Sequence, residues 1–216
     1  MSDNPQFQRL RPRTLIREQV FDRIARDIVS GRLQPMDEIC ASDLQAEFGV
    51  SRTPIREALL RLAHLGLIDI SANRYTRVAP IDPTLQRERM GAAHALIGHC
   101  ARHLAADAAT DALAGLCRSR DGVHELEGRE LVEIAGLTRW YRFFEQIVVL
   151  TGNNVVHALL RDHLGLHLLR SVAAARLPEA AATRLREDVD RVLAAILAGD
   201  GDAAQSGVIE ALDISR

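Results

Sequence analysis

The sequence contains no lysine, and all 27 of its lysine-plus-arginine residues are arginine. We attribute this bias to a GC-rich coding sequence rather than to chemistry. Cysteine is scarce as well. Cys40, Cys100 and Cys117 form no CxxC pair, which argues against a disulfide framework or a structural zinc finger. This cysteine usage predicts a reducing, cytoplasmic location.

Long apolar runs are also missing. No stretch approaches the roughly 18 apolar residues that a membrane-spanning helix needs, and residues 1–13 lack the apolar segment of a signal peptide. Aromatic residues make up 4% of the chain, which suits a helical protein. These absences predict a protein with no membrane partner.

Charge is unevenly distributed along the chain. The formal net charge is −2, so the molecule as a whole gives no sign of nucleic-acid binding. Residues 51–79, however, contain five arginines against two acids, whereas residues 81–216 contain 15 arginines against 19 acids. A basic segment beside an acidic remainder favours DNA binding at one end of the chain.

The basic segment begins with the pattern of two short helices joined by a tight turn. The first helix is predicted over 41–48, and Gly49 gives the backbone freedom that the turn needs. The second is predicted to begin within 51–54, with Thr53 as its cap and Pro54 in its first position. Its apolar residues recur at the spacing of one buried helical face: Ile55, Ala58, Leu59 and Leu62.

Two short strands are predicted next, near 67–70 and 76–78, with a turn at 72–75 between them. Two helices and a hairpin in this order predict a winged helix-turn-helix, whose second helix lies in the DNA major groove. Arg52 and Arg56 share the solvent face of that helix, where arginine can bind guanine O6 and N7. The spacing alone also fits a structural hairpin or a protein-binding module.

Prolines and periodicity divide the chain into four segments. Residues 1–13 are predicted to be a disordered basic arm, residues 14–79 the winged helix-turn-helix domain, and residues 80–83 a stiff linker. Residues 84–216 are predicted to be an all-α bundle, so the fold class is mostly α. Within the bundle, helices are predicted near 84–108, 110–127, 129–151, 153–175, 179–198 and 202–214.

The segment GVSRTPIREALLRLAHLGLI, with QVFDRIARDIVSGRLQP before it and NRYTRVAP after it, resembles the DNA-binding domain of GntR-family bacterial transcription regulators. The resemblance implies that the following residues contact double-stranded DNA: Ser51, Arg52, Thr53, Arg56, Asn73 and Arg74. The last two form the wing tip, which enters the minor groove in that family. Two residues depart from the pattern. Tyr75 stands where many relatives have glycine, and Ser42 stands where the fatty-acid-responsive branch has a DNA-reading arginine.

The C-terminal half resembles the FCD effector domain of the FadR subfamily through LAADAATDAL, FF-x7-GNN and VLAAILAGDGDAA. This resemblance implies that residues 84–216 form an effector-binding and dimerisation domain. It also implies a homodimer that binds a palindromic operator and responds to a small molecule in the bundle. We therefore expect a ligand-responsive repressor. An enzyme is not expected, because a nucleophile elbow, an HExxH motif and a phosphate-binding glycine loop are all missing from the sequence.

Many FCD domains hold a divalent metal inside the bundle, and the resemblance places its four ligand positions on Trp140, Phe144, Val189 and Ala211. None of these side chains coordinates a metal, so we expect no metal and no other cofactor. A cavity lined in this way favours a fatty-acyl or aromatic effector. In the alternative, Trp140 and Phe144 fill the interior and the regulator has no effector.

Two histidine pairs, His99 with His103 and His163 with His167, have the four-residue spacing that can bind a metal from one helical face. We assign His99 and His103 to the effector pocket, with partly exposed helix faces and a rebuilt metal site as the alternatives. Three arginines are candidates for holding an acidic group of the effector, against ordinary solvation at the surface: Arg102, Arg142 and Arg161.

Overall fold

The computed structural model describes residues 16–72, 74–107 and 110–213. The predicted arm at residues 1–13 lies outside these ranges. Within them the chain is mostly helical with one small two-stranded sheet, which confirms the predicted fold class.

The first lobe contains helices α1 (Ile16–Val29), α2 (Ala41–Phe48) and α3 (Arg52–His64), followed by strands β1 (Ile68–Ser71) and β2 (Tyr75–Val78). Helices α2 and α3 match the two predicted short helices, and the strands match the predicted hairpin. The strands are antiparallel, with Ile68 opposite Val78 and Ser71 opposite Tyr75.

The core of the first lobe forms where α1 packs against α3. Ile24 of α1 and Ile55 and Leu62 of α3 are almost completely buried, as the helical spacing predicts. Ile16, at the start of α1, is 54% exposed and lies outside the core cluster. Gly66 has a φ of 71°, a left-handed conformation that ends α3 and starts β1.

The second lobe is a helical bundle. Its elements are α4 (Pro83–Asp107), α5 (Thr110–His124), α6 (Arg129–Val132), α7 (Ile134–Leu150), α8 (Asn154–Leu159), a π-helical segment (Leu160–Leu164), α9 (Gly165–Ala174), α10 (Ala181–Leu197) and α11 (Gly201–Leu212). Helix α4 packs along α11, and α11 packs on α10, while α5 and α4 both pack on α7. Helix α7 therefore lies in the interior, which explains why its apolar face is completely buried.

Two of the predicted bundle helices are interrupted. The predicted helix 129–151 breaks at Glu133, whose backbone is extended, so α6 and α7 are separate helices. Gly136 allows this break, because a Cβ atom there would overlap the α6 backbone. The predicted helix 153–175 contains the π-helical segment, after which Gly165 lies directly against the Tyr141 hydroxyl.

Asparagine or aspartate side chains cap the starts of three other helices. The side chain of Asn153 accepts a hydrogen bond from Val156 N, and that of Asp200 accepts one from Ala203 N. Asp82 does the same for α4, since its Oδ1 accepts hydrogen bonds from Thr84 N and Leu85 N. None of the helices in the described ranges is long and apolar enough to cross a bilayer.

Polar contacts join the two lobes. His167 of α9 is buried, with Nε2 at 2.7 Å from Leu65 O and Nδ1 at 3.2 Å from Arg89 Nη1. A neutral ring satisfies both partners, because Nε2–H donates to the carbonyl and Nδ1 accepts from the guanidinium. Burial lowers the pKa of His167, and the charges of Arg89 and Arg170 act in the same direction.

This contact predicts that acid destabilises the protein. The unfolded chain binds a proton at His167 more readily than the folded chain, so the free energy of unfolding falls as the pH drops below about 6.5, the ordinary histidine pKa. Burial also lowers the pKa of His94, which adds a contribution of the same sign.

Urea denaturation between pH 5 and pH 8 measures the effect. We expect His167→Gln to weaken the pH dependence, His94→Gln to weaken it separately, and the double variant to weaken it most. A His167→Gln protein with the same pH dependence as wild type would show that the ring is not held neutral at the junction.

Candidate nucleic-acid interface

The face of α3 opposite the core is exposed and carries the predicted base-reading residues. Arg52, Thr53 and Arg56 are all exposed at the N-terminal end of the helix. With Glu57 and Leu60 they line an open depression of about 600 Å³. Because Ile55 and Leu62 are fixed in the core, the helix cannot rotate these side chains away from solvent without unpacking the lobe.

The start of α3 differs from the prediction. The helix begins at Arg52, so Ser51 is its N-cap residue and Pro54 is its third residue, whereas Thr53 and Pro54 were predicted to be the cap and the first residue. The Ser51 side chain makes no capping hydrogen bond. The N–H groups of the first turn therefore have no cap from Ser51, and such groups at a helix N-terminus favour an anion such as phosphate.

Arg52 and Arg56, like the exposed Arg26 and Arg74 of the first lobe, have no charged partner in the described ranges. Among the described residues neither forms an ion pair or a side-chain hydrogen bond. Arg61, in contrast, lies 4.1 Å over the Phe21 ring and 3.8 Å from Asp162. The carboxylate of Glu57, which also lines the depression, lies 3.5 Å from Arg17 of α1. The guanidinium groups of Arg52 and Arg56 are therefore available to a partner.

The hairpin forms a wing with its tip between Ser71 and Tyr75. Arg74 is exposed at the tip, and its backbone N–H donates a hydrogen bond to Ser71 O at 3.0 Å. Asn73, the other predicted wing contact, lies outside the described residues. Tyr75 places its ring 4.1 Å below the Arg77 guanidinium, so the residue that replaces the usual glycine supports a wing arginine.

The predicted effector-pocket residues fall into two groups. Trp140, Phe144, Val189 and Ala211 are completely buried in the bundle core. The rings of Trp140 and Phe144 contact each other edge to face, with centroids 5.0 Å apart. His99 and His103 instead lie on the exposed side of α4, with ring centroids 4.5 Å apart, and the structure does not bring them into the interior.

Trp140 has one unsatisfied group. Its Nε1–H is buried and meets no hydrogen-bond acceptor in the part of the chain that the structure describes. A buried donor without an acceptor costs about 1–3 kcal/mol. A bound water or ligand with an acceptor atom at this position would remove that cost.

The second histidine pair is divided between surface and interior. His163 is exposed in the π-helical segment and lies near His64, with ring centroids 5.9 Å apart, whereas His167 is buried at the junction between the lobes. In the described ranges, no group of three or more His, Cys, Asp or Glu side chains could hold a metal ion.

The arginines proposed for an acidic group are all exposed. Arg102 pairs with Asp202 of α11, and Arg161 hydrogen-bonds its neighbour Asp162 at 2.9 Å. This hydrogen bond lowers the pKa of Asp162. The sequence analysis did not single out Arg89 and Arg170, which lie in the lobe junction with His167. No local pattern marks them, because their contacts join residues 78 to 91 positions apart.

The geometry defines a winged helix-turn-helix lobe on a helical bundle. Residues 16–78 match the model of the family described as "Bacterial regulatory proteins, gntR family". This segment is therefore a GntR-family helix-turn-helix domain.

Curated relatives that match over this part of the chain are named as transcription regulators. The chain is 35% identical over 72 residues to the HTH-type transcriptional repressor RspR of Escherichia coli K12, an alignment that covers 33% of this chain and 32% of RspR. It is 39% identical over 66 residues to a probable D-xylose utilization operon transcriptional repressor of Paenarthrobacter nicotinovorans, covering 31% and 29% of the two chains. The chain thus matches about a third of the length of these relatives.

Solved structures extend the likeness to the bundle. E. coli McbR/YncC superposes with a TM-score of 0.78 at 17% identity, covering 91% of this chain and 93% of that one. A putative transcriptional regulator GntR from Rhodococcus sp. RHA1 gives 0.74 at 19% identity, covering 92% and 94%. At these identities the likeness shows a shared fold across both lobes.

Proposed function

We propose that this protein is a transcription regulator that binds a palindromic DNA operator as a homodimer and represses transcription. The observation that carries the proposal is the pair of exposed, unpaired arginines at the N-terminal end of α3. An α-helix fits the major groove of B-DNA, where an arginine fork matches the O6 and N7 acceptors of guanine. Arg52 and Arg56 are the proposed base-reading residues.

The neighbouring residues would hold the helix in register. Ser51 and Thr53 lie beside the start of α3, where hydroxyls and backbone N–H groups can contact phosphate oxygens. Asn73 and Arg74 are proposed to enter the minor groove from the wing. Contacts of this kind position the protein on the duplex, while the base contacts of Arg52 and Arg56 supply specificity.

Dimerisation is proposed for the second lobe because two copies of α3 must reach two half-sites. A two-fold symmetric operator mirrors a two-fold symmetric protein, with half-sites about one helical turn apart or a multiple of it. The bundle of residues 84–216 resembles FCD domains of the FadR subfamily in sequence segments and is proposed to belong to that type. A cytoplasmic location follows from the regulatory role and belongs to the same proposal.

The effector proposal concerns the bundle interior. The four residues that the FCD resemblance assigns to the metal-ligand positions are apolar and buried, and the N–H of Trp140 has no acceptor among the described residues. These features support a small apolar, fatty-acyl or aromatic effector with one acceptor atom, bound without a metal. The edge-to-face packing of Trp140 on Phe144 supports the second candidate, a regulator whose bundle is filled by its own side chains.

DNA titration tests the base-reading residues. An operator is first selected from random duplexes by wild-type protein, and each variant is then titrated against it. We expect Arg52→Ala and Arg56→Ala each to weaken specific binding by about 1–3 kcal/mol, because each removes one base-reading fork. Arg129→Ala is the matched control, since this arginine is highly exposed, pairs only locally with Glu133 and belongs to the second lobe. Equal affinity of Arg56→Ala and wild type would remove Arg56 from the interface.

Native mass spectrometry tests the dimer and the effector together. The native spectrum is expected to show a dimer that carries an organic adduct, and the adduct is released on denaturation. A metal assay on the same sample checks the metal-free expectation. A dimer with no adduct would favour the filled bundle, and a stoichiometric divalent metal would contradict the metal-free bundle.

A further inference from the structure

Arg170 of α9 is a buried cation that no carboxylate neutralises. It is 6% exposed, and its Nη2 donates a hydrogen bond to Ala79 O at 2.8 Å. A guanidinium has five N–H donors, and this carbonyl is the one acceptor that Arg170 meets among the described residues. The same part of the chain places no carboxylate within ion-pair distance of it.

The groups around Arg170 add positive charge. Burial, and then the charge of Arg89, lowers the pKa of Arg170. Arg89 also contacts His167, and the neutral His167 ring does not offset the charge of either arginine. Placing a charge in a poorly solvated site is costly unless an opposite charge offsets it. The carboxylate of Asp82 acts on the charge of Arg89, but Arg89 is the charged group that acts on Arg170. An anion bound beside Arg170 would therefore offset the cost of burying its charge.

Two adjoining clefts give an anion access to Arg170. They measure about 290 and 280 Å³, and Ile81, Arg170 and Ala174 line both of them. Arg87 lines the first cleft and Arg176 lines the second. No carboxylate from the described ranges lines either cleft, so the charged side chains that line them are all arginines.

The walls of the first cleft are largely apolar and come from residues 81–87 and α9, whereas those of the second cleft mix polar and apolar groups and come from both lobes. The second cleft is bounded by the end of α1 and the loop after it, which include Val29, Leu33 and Pro35. The opposite wall is the last turn of α9, which supplies Ala173 and Ala174. A ligand here would have a charged head against arginine and an apolar body between the lobes.

We propose that these clefts bind a small organic anion, a carboxylate or phosphate head on a short apolar chain, with Arg170 as the buried ligand for the head. Arg87 and Arg176 attract the anion at the rim, and Ile81 and Ala174 contact its chain. This site is separate from the bundle interior around Trp140. Binding here rests on the cleft geometry alone, whereas an effect on operator affinity rests on the proposed function.

Isothermal titration calorimetry on the full chain, at fixed ionic strength, tests the site. The probes are hexanoate and hexyl phosphate. Acetate and inorganic phosphate represent the charged heads alone, and 1-hexanol represents the apolar chain alone. We expect at least one of the two amphipathic anions to bind at least 10-fold more tightly than 1-hexanol and than the matching head alone, which is acetate for hexanoate and inorganic phosphate for hexyl phosphate. A higher affinity for hexanoate than for hexyl phosphate identifies a carboxylate ligand. A higher affinity for hexyl phosphate identifies a phosphate ester. Equal binding of all five probes overturns the proposal.

Variants locate the site. Arg170→Gln removes the charge but keeps an amide donor for Ala79 O, and we expect at least a 10-fold loss of affinity. Ala174→Phe fills both clefts from an exposed position without removing a charge, so it tests the site even if Arg170→Gln folds poorly. Arg129→Gln, far along the chain and exposed, is the control with unchanged affinity. Wild-type affinity in Ala174→Phe would overturn the site.

Operator titration with and without hexanoate or hexyl phosphate, whichever binds, separates this inference from the proposed function. We expect the bound anion to change the operator affinity of wild type at least threefold and to leave that of Ala174→Phe unchanged. Binding of the anion with no change in operator affinity would overturn the coupling. Failure of the ligand-free wild type to bind any selected duplex would instead overturn the proposed function.

Discussion

The packing of α1 against α3 is the constraint on which the proposed DNA surface depends. Ile24, Ile55 and Leu62 are buried almost completely and fix the rotation of α3 about its axis. A close-packed core tolerates little rotation, because each apolar side chain fills a space shaped for it. The consequence lies on the other side of the helix, where Arg52 and Arg56 face solvent without partners. The placement of charge at the surface is thus decided by apolar contacts beneath it.

The junction between the lobes follows a different principle. His167, Arg89 and Arg170 join the lobes through hydrogen bonds to backbone carbonyls and to each other, without a carboxylate among them. Such contacts are directional, and they are sensitive to protonation and to anions. A junction built in this way can hold one relative placement of the lobes and release it when its charge changes. The core of the second lobe, in contrast, is almost entirely apolar.

The sequence predicted the structure most accurately where the pattern of residues is local. The helical spacing of Ile55, Leu59 and Leu62 defines α3, and Gly49, with a φ of 63°, forms the turn before it. Both features are visible within 15 residues of sequence. The break at Glu133 was missed because it depends on the close approach that Gly136 allows to the α6 backbone. The cap of α3 was placed two residues late, because serine and threonine both suit that role and the sequence does not choose between them. The junction could not be predicted, since His167 meets a carbonyl 102 positions earlier in the chain.

Methylation interference on the selected operator tests most directly whether α3 reads DNA through its arginines. Dimethyl sulfate modifies guanine at N7 in the major groove and adenine at N3 in the minor groove, and these are acceptor positions in the two grooves. The account predicts that methylation of a guanine in each half of a palindromic site blocks binding of wild-type protein, and that Arg52→Ala or Arg56→Ala removes this interference at one guanine per half-site. Interference confined to adenines, or none at any guanine, would contradict an α3 that lies in the major groove.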